Sequence, residues 1–138
     1  YWCFNEVGRT PLFPFGYGLS YTTFEYSEIQ MEDKQLTRDG KLNVSVKVKN
    51  TGKYKGTETV QLYIRDLVAS VTRPVKELKS FRKVELKPGE EKKVEFVITE
   101  KDLRFWNDKK QFISEPGKFH LFIGTDSENV KKAEFVLL

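Results

Sequence analysis

The chain has 138 residues, of which 38% are hydrophobic and 32% charged, with 24 basic and 20 acidic side chains giving a formal charge of +4. This length suits one domain that buries roughly two-thirds of its unfolded surface, and the composition excludes a fully disordered or membrane-spanning chain. A single cysteine, Cys3, and a single histidine, His120, leave neither an internal disulfide nor a structural zinc centre.

Residues 1–21 hold seven aromatics (Tyr1, Trp2, Phe4, Phe13, Phe15, Tyr17 and Tyr21), two prolines and three glycines. They follow neither a strand nor a helix period, and so sticky a segment is expected to pack on something. From there the period is two. Residues 24–31 read as a first strand with Phe24, Tyr26 and Ile29 inward. Asp39-Gly40 is a turn signal, and Leu42, Val44, Val46 and Val48 then alternate with polar residues until Asn50-Thr51-Gly52 ends the strand. Val60, Leu62 and Ile64 repeat the pattern. Residues 75–86 form a less regular strand with Leu78, Phe81, Val84 and Leu86 as its apolar members. Pro88-Gly89 suits the two central positions of a type II turn, because Pro presets the first φ and Gly supplies the positive second one. Val94, Phe96 and Ile98 follow, then Thr99 with Asp102, a capping box for one short helical turn through Leu103 and Phe105. A second Pro-Gly turn at Pro116-Gly117 precedes Phe119, Leu121 and Ile123, and residues 133–138 close the chain as a strand. No segment sustains a helical period. The pattern predicts an all-β, two-sheet antiparallel sandwich of immunoglobulin or fibronectin type III kind with seven or eight strands.

Chemistry-bearing motifs are few. Gly16-Tyr17-Gly18 starts a dinucleotide fingerprint but lacks its third glycine and leads into a strand, so backbone freedom is the better account. His120 falls on the outward phase of its strand with no partnered nucleophile, and Cys3 reads as a small buried hydrophobe. The carboxylates, Glu115 and Asp126 among them, sit in turns or on polar faces, whereas glycoside hydrolysis needs two facing each other across a sugar. Asp126-Ser127-Glu128 lacks the ligand density calcium requires. Asn43-Val44-Ser45 is a glycosylation sequon on a polar strand face. Arg73, Lys76, Lys79, Arg82 and Lys83 are interrupted by Glu77 and suit a solvated strand face better than a nucleic-acid stripe. Trp2 and Trp106 are the candidates for a sugar-stacking platform, although Trp106 with Phe105 also suits a plug at one end of the sandwich.

The run Pro11-Leu12-Phe13-Pro14-Phe15-Gly16-Tyr17-Gly18-Leu19-Ser20-Tyr21-Thr22-Thr23-Phe24 closely resembles a signature of glycoside hydrolase family 3, the β-glucosidase family, at the hand-over to its C-terminal fibronectin type III-like domain. Asn50-Thr51-Gly52 with Gly56 and Glu58 resembles the family's second-to-third strand turn. Arg73-Pro74-Val75-Lys76-Glu77-Leu78-Lys79-Ser80-Phe81 is similar to a further family element, with Ser80 in place of the usual glycine, and the turns at 86–90 and 115–119 match as well. Gly124-Thr125-Asp126-Ser127 departs from the family's common Gly-x-Ser-Ser.

The resemblance implies a non-catalytic accessory domain, residues 22–138, preceded by a connector, residues 1–21. The connector's Trp2, Phe4, Phe13, Phe15, Tyr17 and Tyr21 would then lie against the catalytic domains of the same parent chain. The family's two catalytic carboxyl groups would precede Tyr1, so no catalytic, cofactor-binding or metal residue is expected here. The parent's implied reaction is retaining hydrolysis of terminal non-reducing β-D-glycosides, without a cofactor. The implied partners are those domains and, through the parent, the β-glycoside substrate, with no nucleic acid and no membrane. The chain starts at Tyr1 and its one methionine is Met31, so a piece of a longer protein is expected, from a periplasmic or secreted bacterial parent. The alternative is a stand-alone carbohydrate-binding module using Trp2 and Trp106.

Overall fold

Alternation of apolar and polar side chains builds two sheets face to face. The computed structural model describes residues 11–73 and 75–138. In the first sheet, β1 (Phe24–Tyr26) and β2 (Gln30–Met31) follow one another along one edge of β4 (Lys41–Asn50), and β7 (Glu91–Thr99) pairs with the other edge. The second sheet runs in the order β3 (Gln35–Leu36), β11 (Val130–Leu137), β10 (Gly117–Gly124), β5 (Gly56–Asp66) and β6 (Glu77–Leu86). A short hairpin, β8 (Phe105–Trp106) with β9 (Phe112–Ile113), follows a 3-10 turn at Glu100–Leu103.

The registers explain the core. Val44 lies opposite Phe96 and Val46 opposite Val94 in the first sheet, and Leu62 opposite Ile123 and Ile64 opposite Leu121 in the second. All of these face inward and, with Val48, Val60, Ile98 and Phe119, fill one buried cluster as the period of two predicts. Phe119 stacks on Phe135 of the neighbouring strand, with ring centroids 5.4 Å apart and planes 16° from parallel. Each fully buried aliphatic or aromatic side chain contributes about 1.5–3 kcal/mol.

Eleven strand segments among the described residues exceed the seven or eight expected. One cause is Ser27, which splits the first predicted strand. Its N–H donates to Lys47 O (2.9 Å), while its side-chain oxygen takes the Lys47 N–H (3.0 Å) that a ladder carbonyl would otherwise accept. The others are the β8–β9 hairpin and the two-residue β3, whose pairing with β11 is parallel rather than antiparallel. Two local readings also change. Leu78 and Phe81 leave the expected apolar set: Phe81, three residues from the inward Val84, faces out with its partner Gln61, and a bulge at Lys79 turns Leu78 out beside it. Pro88-Gly89 forms its turn with Gly89 at φ 76°, whereas Gly117, at φ 159°, is already the first residue of β10.

One polar residue occupies an inward position of β4. Asn50 has 0% exposure, and its side chain is fully bonded. Its amide donates to Leu86 O (3.0 Å) and Tyr54 O (2.8 Å), and its oxygen accepts the Thr22 hydroxyl (2.6 Å) and the Gly52 N–H (3.0 Å). At the opposite end, the buried Glu100 carboxylate takes both Nε (2.9 Å) and Nη2 (2.9 Å) of Arg104 and the Ser114 hydroxyl (2.5 Å), fastening the hairpin to the 3-10 turn. The turn itself carries the expected Thr99–Asp102 pairing, in which one Asp102 oxygen accepts both the N–H (2.7 Å) and the hydroxyl (2.8 Å) of Thr99.

Asn50→Leu leaves two carbonyls, an N–H and a hydroxyl without partners, and should cost at least about 2–3 kcal/mol in urea denaturation. Val46→Asp places an unpaired carboxylate in the core and should cost several kcal/mol in the same assay. The hydrogen bonds from Arg104 and then Ser114 hold the Glu100 carboxyl below its ordinary value of 4.5. Its stabilisation is therefore complete above that value and is lost as the pH falls through the lowered one. In thermal melts, Glu100→Gln should lower Tm at pH 7 and flatten the acid-side decline.

Candidate functional site

The outward face of the second sheet is where the chain spends its surplus aromatics. Val60, Leu62 and Ile64 of β5 point inward, so Gln61 and Tyr63 point out, yet Tyr63 is only 2% exposed. Phe122 of β10, equally out of phase with its core neighbours, is also buried. The cover is the segment 11–18. Phe15 meets Tyr63 edge-on, with centroids 6.4 Å apart. Gln61 donates to the carbonyls of Gly16 (3.1 Å) and Thr125 (2.8 Å) and accepts the Tyr63 hydroxyl. The Ser127 N–H donates to Phe15 O (2.9 Å), and Tyr17 N–H to Pro14 O (3.0 Å) closes a turn within the segment. Gly16 is required there: its φ is +79°, and a Cβ would lie 2.1 Å from Gln61 Oε1.

The bulge adds to this face. Leu78 lies opposite Tyr63 and Phe81 opposite Gln61, so two residues three apart share one side of β6 with Lys79 as the extra residue between them. Lys76 reaches across, its ammonium 5.0 Å from the Phe122 ring centroid and donating to Ser127 O (2.5 Å). The outcome is one-sided. The polar groups of the covering segment bond to the sheet beneath, while Phe13, Phe15 and Tyr17 remain exposed, with Phe13 and Tyr17 rings 5.2 Å apart, and Phe81 is exposed on β6.

Among the expected interface residues, Phe13 and Tyr17 pair with each other and Phe15 sits against Tyr63. Tyr21 stands apart and almost wholly exposed, and Trp2 and Phe4 lie outside the described residues, as does Cys3. Trp106 is 66% exposed, so the end plug is Phe105 alone, buried with Arg73 stacked 4.4 Å over its ring. Trp106 pairs instead with Phe112, centroids 5.4 Å apart and planes tilted by 41°. Asp126 organises its own loop, accepting the Glu128 N–H (2.8 Å), the Asn129 N–H (2.8 Å) and the Asn129 side-chain amide (2.8 Å). His120 is half-buried 3.4 Å from Glu134; desolvation, with Lys132 nearby, outweighs that carboxylate and pushes its pKa down. Leu78 and Phe81 were expected inward and Gln61 gave no signal, whereas Tyr63 and Phe122 escaped the sequence reading. Their signal was present as apolar residues in the polar phase, Tyr63 beside Ile64 and Phe122 between Leu121 and Ile123.

Residues 58–127 match the family described as the fibronectin type III-like domain. The chain belongs to the fibronectin type III-like domain family. The domain is 52% identical to the periplasmic β-glucosidase of Salmonella typhimurium over 135 residues, which is 98% of this chain and 18% of that protein. It is 50% identical to a putative β-xylosidase of Formosa agariphila, covering 97% of this chain and 18% of the relative. Among solved structures, the β-glucosidase of Listeria innocua in complex with glucose superposes with a TM-score of 0.86 at 42% identity, over 92% of this chain and 18% of that one. The domain thus corresponds to a small part of much larger glycosidase chains.

Removing residues 1–21 from the domain should preserve a single cooperative unfolding transition, because the Thr22–Asn50 bond and the core registers lie beyond the cut. It should also uncover Tyr63. The checks are urea denaturation and a rise in binding of a hydrophobic dye.

Proposed function

We propose that this domain is the non-catalytic accessory domain of a family 3 β-glucosidase and that it docks on the catalytic domains of the same chain through the aromatic face. In this reading residues 1–21 are the connector and 22–138 the domain, and Trp2, Phe4 and Tyr21 belong to the same interface as Phe13, Phe15 and Tyr17. The observation that carries the reading is the one-sidedness of segment 11–18. Its backbone carbonyls are tied to Gln61 and Ser127, and its rings are left bare on the sheet face that carries Phe81, the partner of Gln61. Contiguous exposed aromatics of this kind mark an interaction surface.

The chemistry then belongs to the parent. It is retaining hydrolysis of terminal non-reducing β-D-glycosides by two carboxyl groups upstream of Tyr1, in a periplasmic or secreted bacterial enzyme. Of the buried acids, Glu100 is bonded to Arg104, Asp126 to its own loop and Glu58 to Tyr26. The carbohydrate-binding-module alternative draws support from the exposure of Trp106. The 41° tilt between Trp106 and Phe112 gives a broken surface rather than a flat platform for a sugar.

Phe13→Ser with Phe81→Ser should shift the stability of the separate domain by about 0.5 kcal/mol or less, since both side chains are exposed. In the parent enzyme the same pair should lower Tm and split unfolding into two transitions by calorimetry; an unchanged parent melt would contradict docking through this face. The separate domain should release no nitrophenol from a β-glucoside, and turnover that vanished in Glu115→Gln would overturn the accessory reading.

A further inference from the structure

Glu58 occupies a position where the fold asks for an aliphatic side chain. It precedes Val60, Leu62 and Ile64 on the inward phase of β5 and is 6% exposed. Its partner comes from the facing sheet, where the Tyr26 hydroxyl donates to Glu58 Oε1 at 2.6 Å. Burial, then the neighbouring carboxylate, push the Tyr26 pKa far above that of a free phenol, so this hydroxyl stays a donor. A phenol has one proton to give, and it is directed at Oε1. Among the described residues no second donor is bonded to the carboxylate.

The pair floors a cleft of about 550 Å³ between the sheets, walled by Phe24 of β1 and by Ile123 and Val130 of β10 and β11. Thr125 and Asn129 also line it, as does Thr23, whose hydroxyl is shared with Thr51 at 2.9 Å. Buried carboxylates are tolerated when donors or a cation complete them. A metal ion is not what the residues suit, because no group of three or more His, Cys, Asp or Glu among those described could hold one. A cationic ligand would meet the Lys131 ammonium at the rim, and the charge of Glu28 is already spent on that lysine at 2.9 Å.

A ring that offers adjacent hydroxyls to the carboxylate and a C–H face to Phe24 and Val130 satisfies both halves of the cleft. We infer that this cleft binds a neutral cyclic polyol of monosaccharide to disaccharide size, with Glu58 accepting its hydroxyls. This goes beyond the accessory role, and Gly18 and Ser20 of the connector line the same cleft.

The test is an amide chemical-shift titration of the 138-residue chain with D-glucose and cellobiose, with glycerol and ethanolamine as controls. The expected result is saturable millimolar binding of at least one sugar, with shifts centred on Tyr26, Glu58, Thr125 and Asn129. Glu58→Gln should weaken binding about tenfold or more, the scale of one lost charged hydrogen bond. Thr23→Trp, at an exposed rim position, should block the cleft without touching Glu58, and so keeps the test decisive should Glu58→Gln unfold the chain. Shifts centred on Trp106 or Phe15, glycerol binding as well as the sugars, tighter binding of ethanolamine, or no saturation would each overturn the inference. None of these results bears on the melting behaviour of the parent, so the two readings fail separately.

Discussion

The two sheets are joined at one end through the side chain of Asn50. An inward position at the end of β4 would ordinarily carry valine, as Val44, Val46 and Val48 do, and the carboxamide there fixes geometry as well as filling space. It reaches Leu86 at the end of β6 in the opposite sheet, Tyr54 in the loop from β4 to β5, and Thr22 where the covering segment hands over to β1. Its backbone adds the Pro88-Gly89 turn, since Asn50 N donates to Glu90 O and Asn50 O accepts from Gly89, both at 2.9 Å. Dispersion and the hydrophobic effect hold sheets together but set their offset loosely. Four directional bonds in a dry site set it tightly, because any other offset leaves buried groups unpaired. Glu58 with Tyr26 is a second polar contact of this kind: a polar residue in an inward phase, met by one donor from the other sheet.

Much of this was legible in the sequence, and the parts that were not have physical reasons. The inward valines, leucines and isoleucines announced β4, β5, β7 and β10, because a half-buried strand has no other way to satisfy its two faces. The same logic misassigned Leu78 and Phe81. Phe81 is out of phase with Val84 and Leu86 in the sequence itself, whereas Leu78 is in phase with them and changes face only because a bulge inserts Lys79, a residue that alternation cannot see. Ser27 interrupts the first strand by a hydroxyl that competes with the backbone, a choice that depends on Lys47, twenty residues away. Pro-Gly read correctly at 88–89 and wrongly at 116–117, because the dipeptide permits a type II turn and only the flanking pairing decides whether one forms.

The aromatic face was legible as composition but not as a place. Seven aromatics in residues 1–21 signalled a surface in need of a partner. That Phe15 would settle against Tyr63, and that Gln61 would hold the segment down by its backbone carbonyls, required both outward phases to be seen together. In retrospect the run Leu121-Phe122-Ile123 announces a strand covered on both sides, as the middle of this sheet is.

The bulge in β6 has a further consequence for a protein with so much apolar surface. This strand is an edge of its sheet, ten residues long, with backbone donors and acceptors facing outward. An unbroken edge of that length is a template on which another chain can add a strand, and exposed phenylalanine beside it would favour such growth. The extra residue kinks the edge out of register, and Lys79, Arg82 and Lys83 place charge along it. The irregularity that turns Leu78 outward therefore also makes the strand a poor template for another copy of the chain.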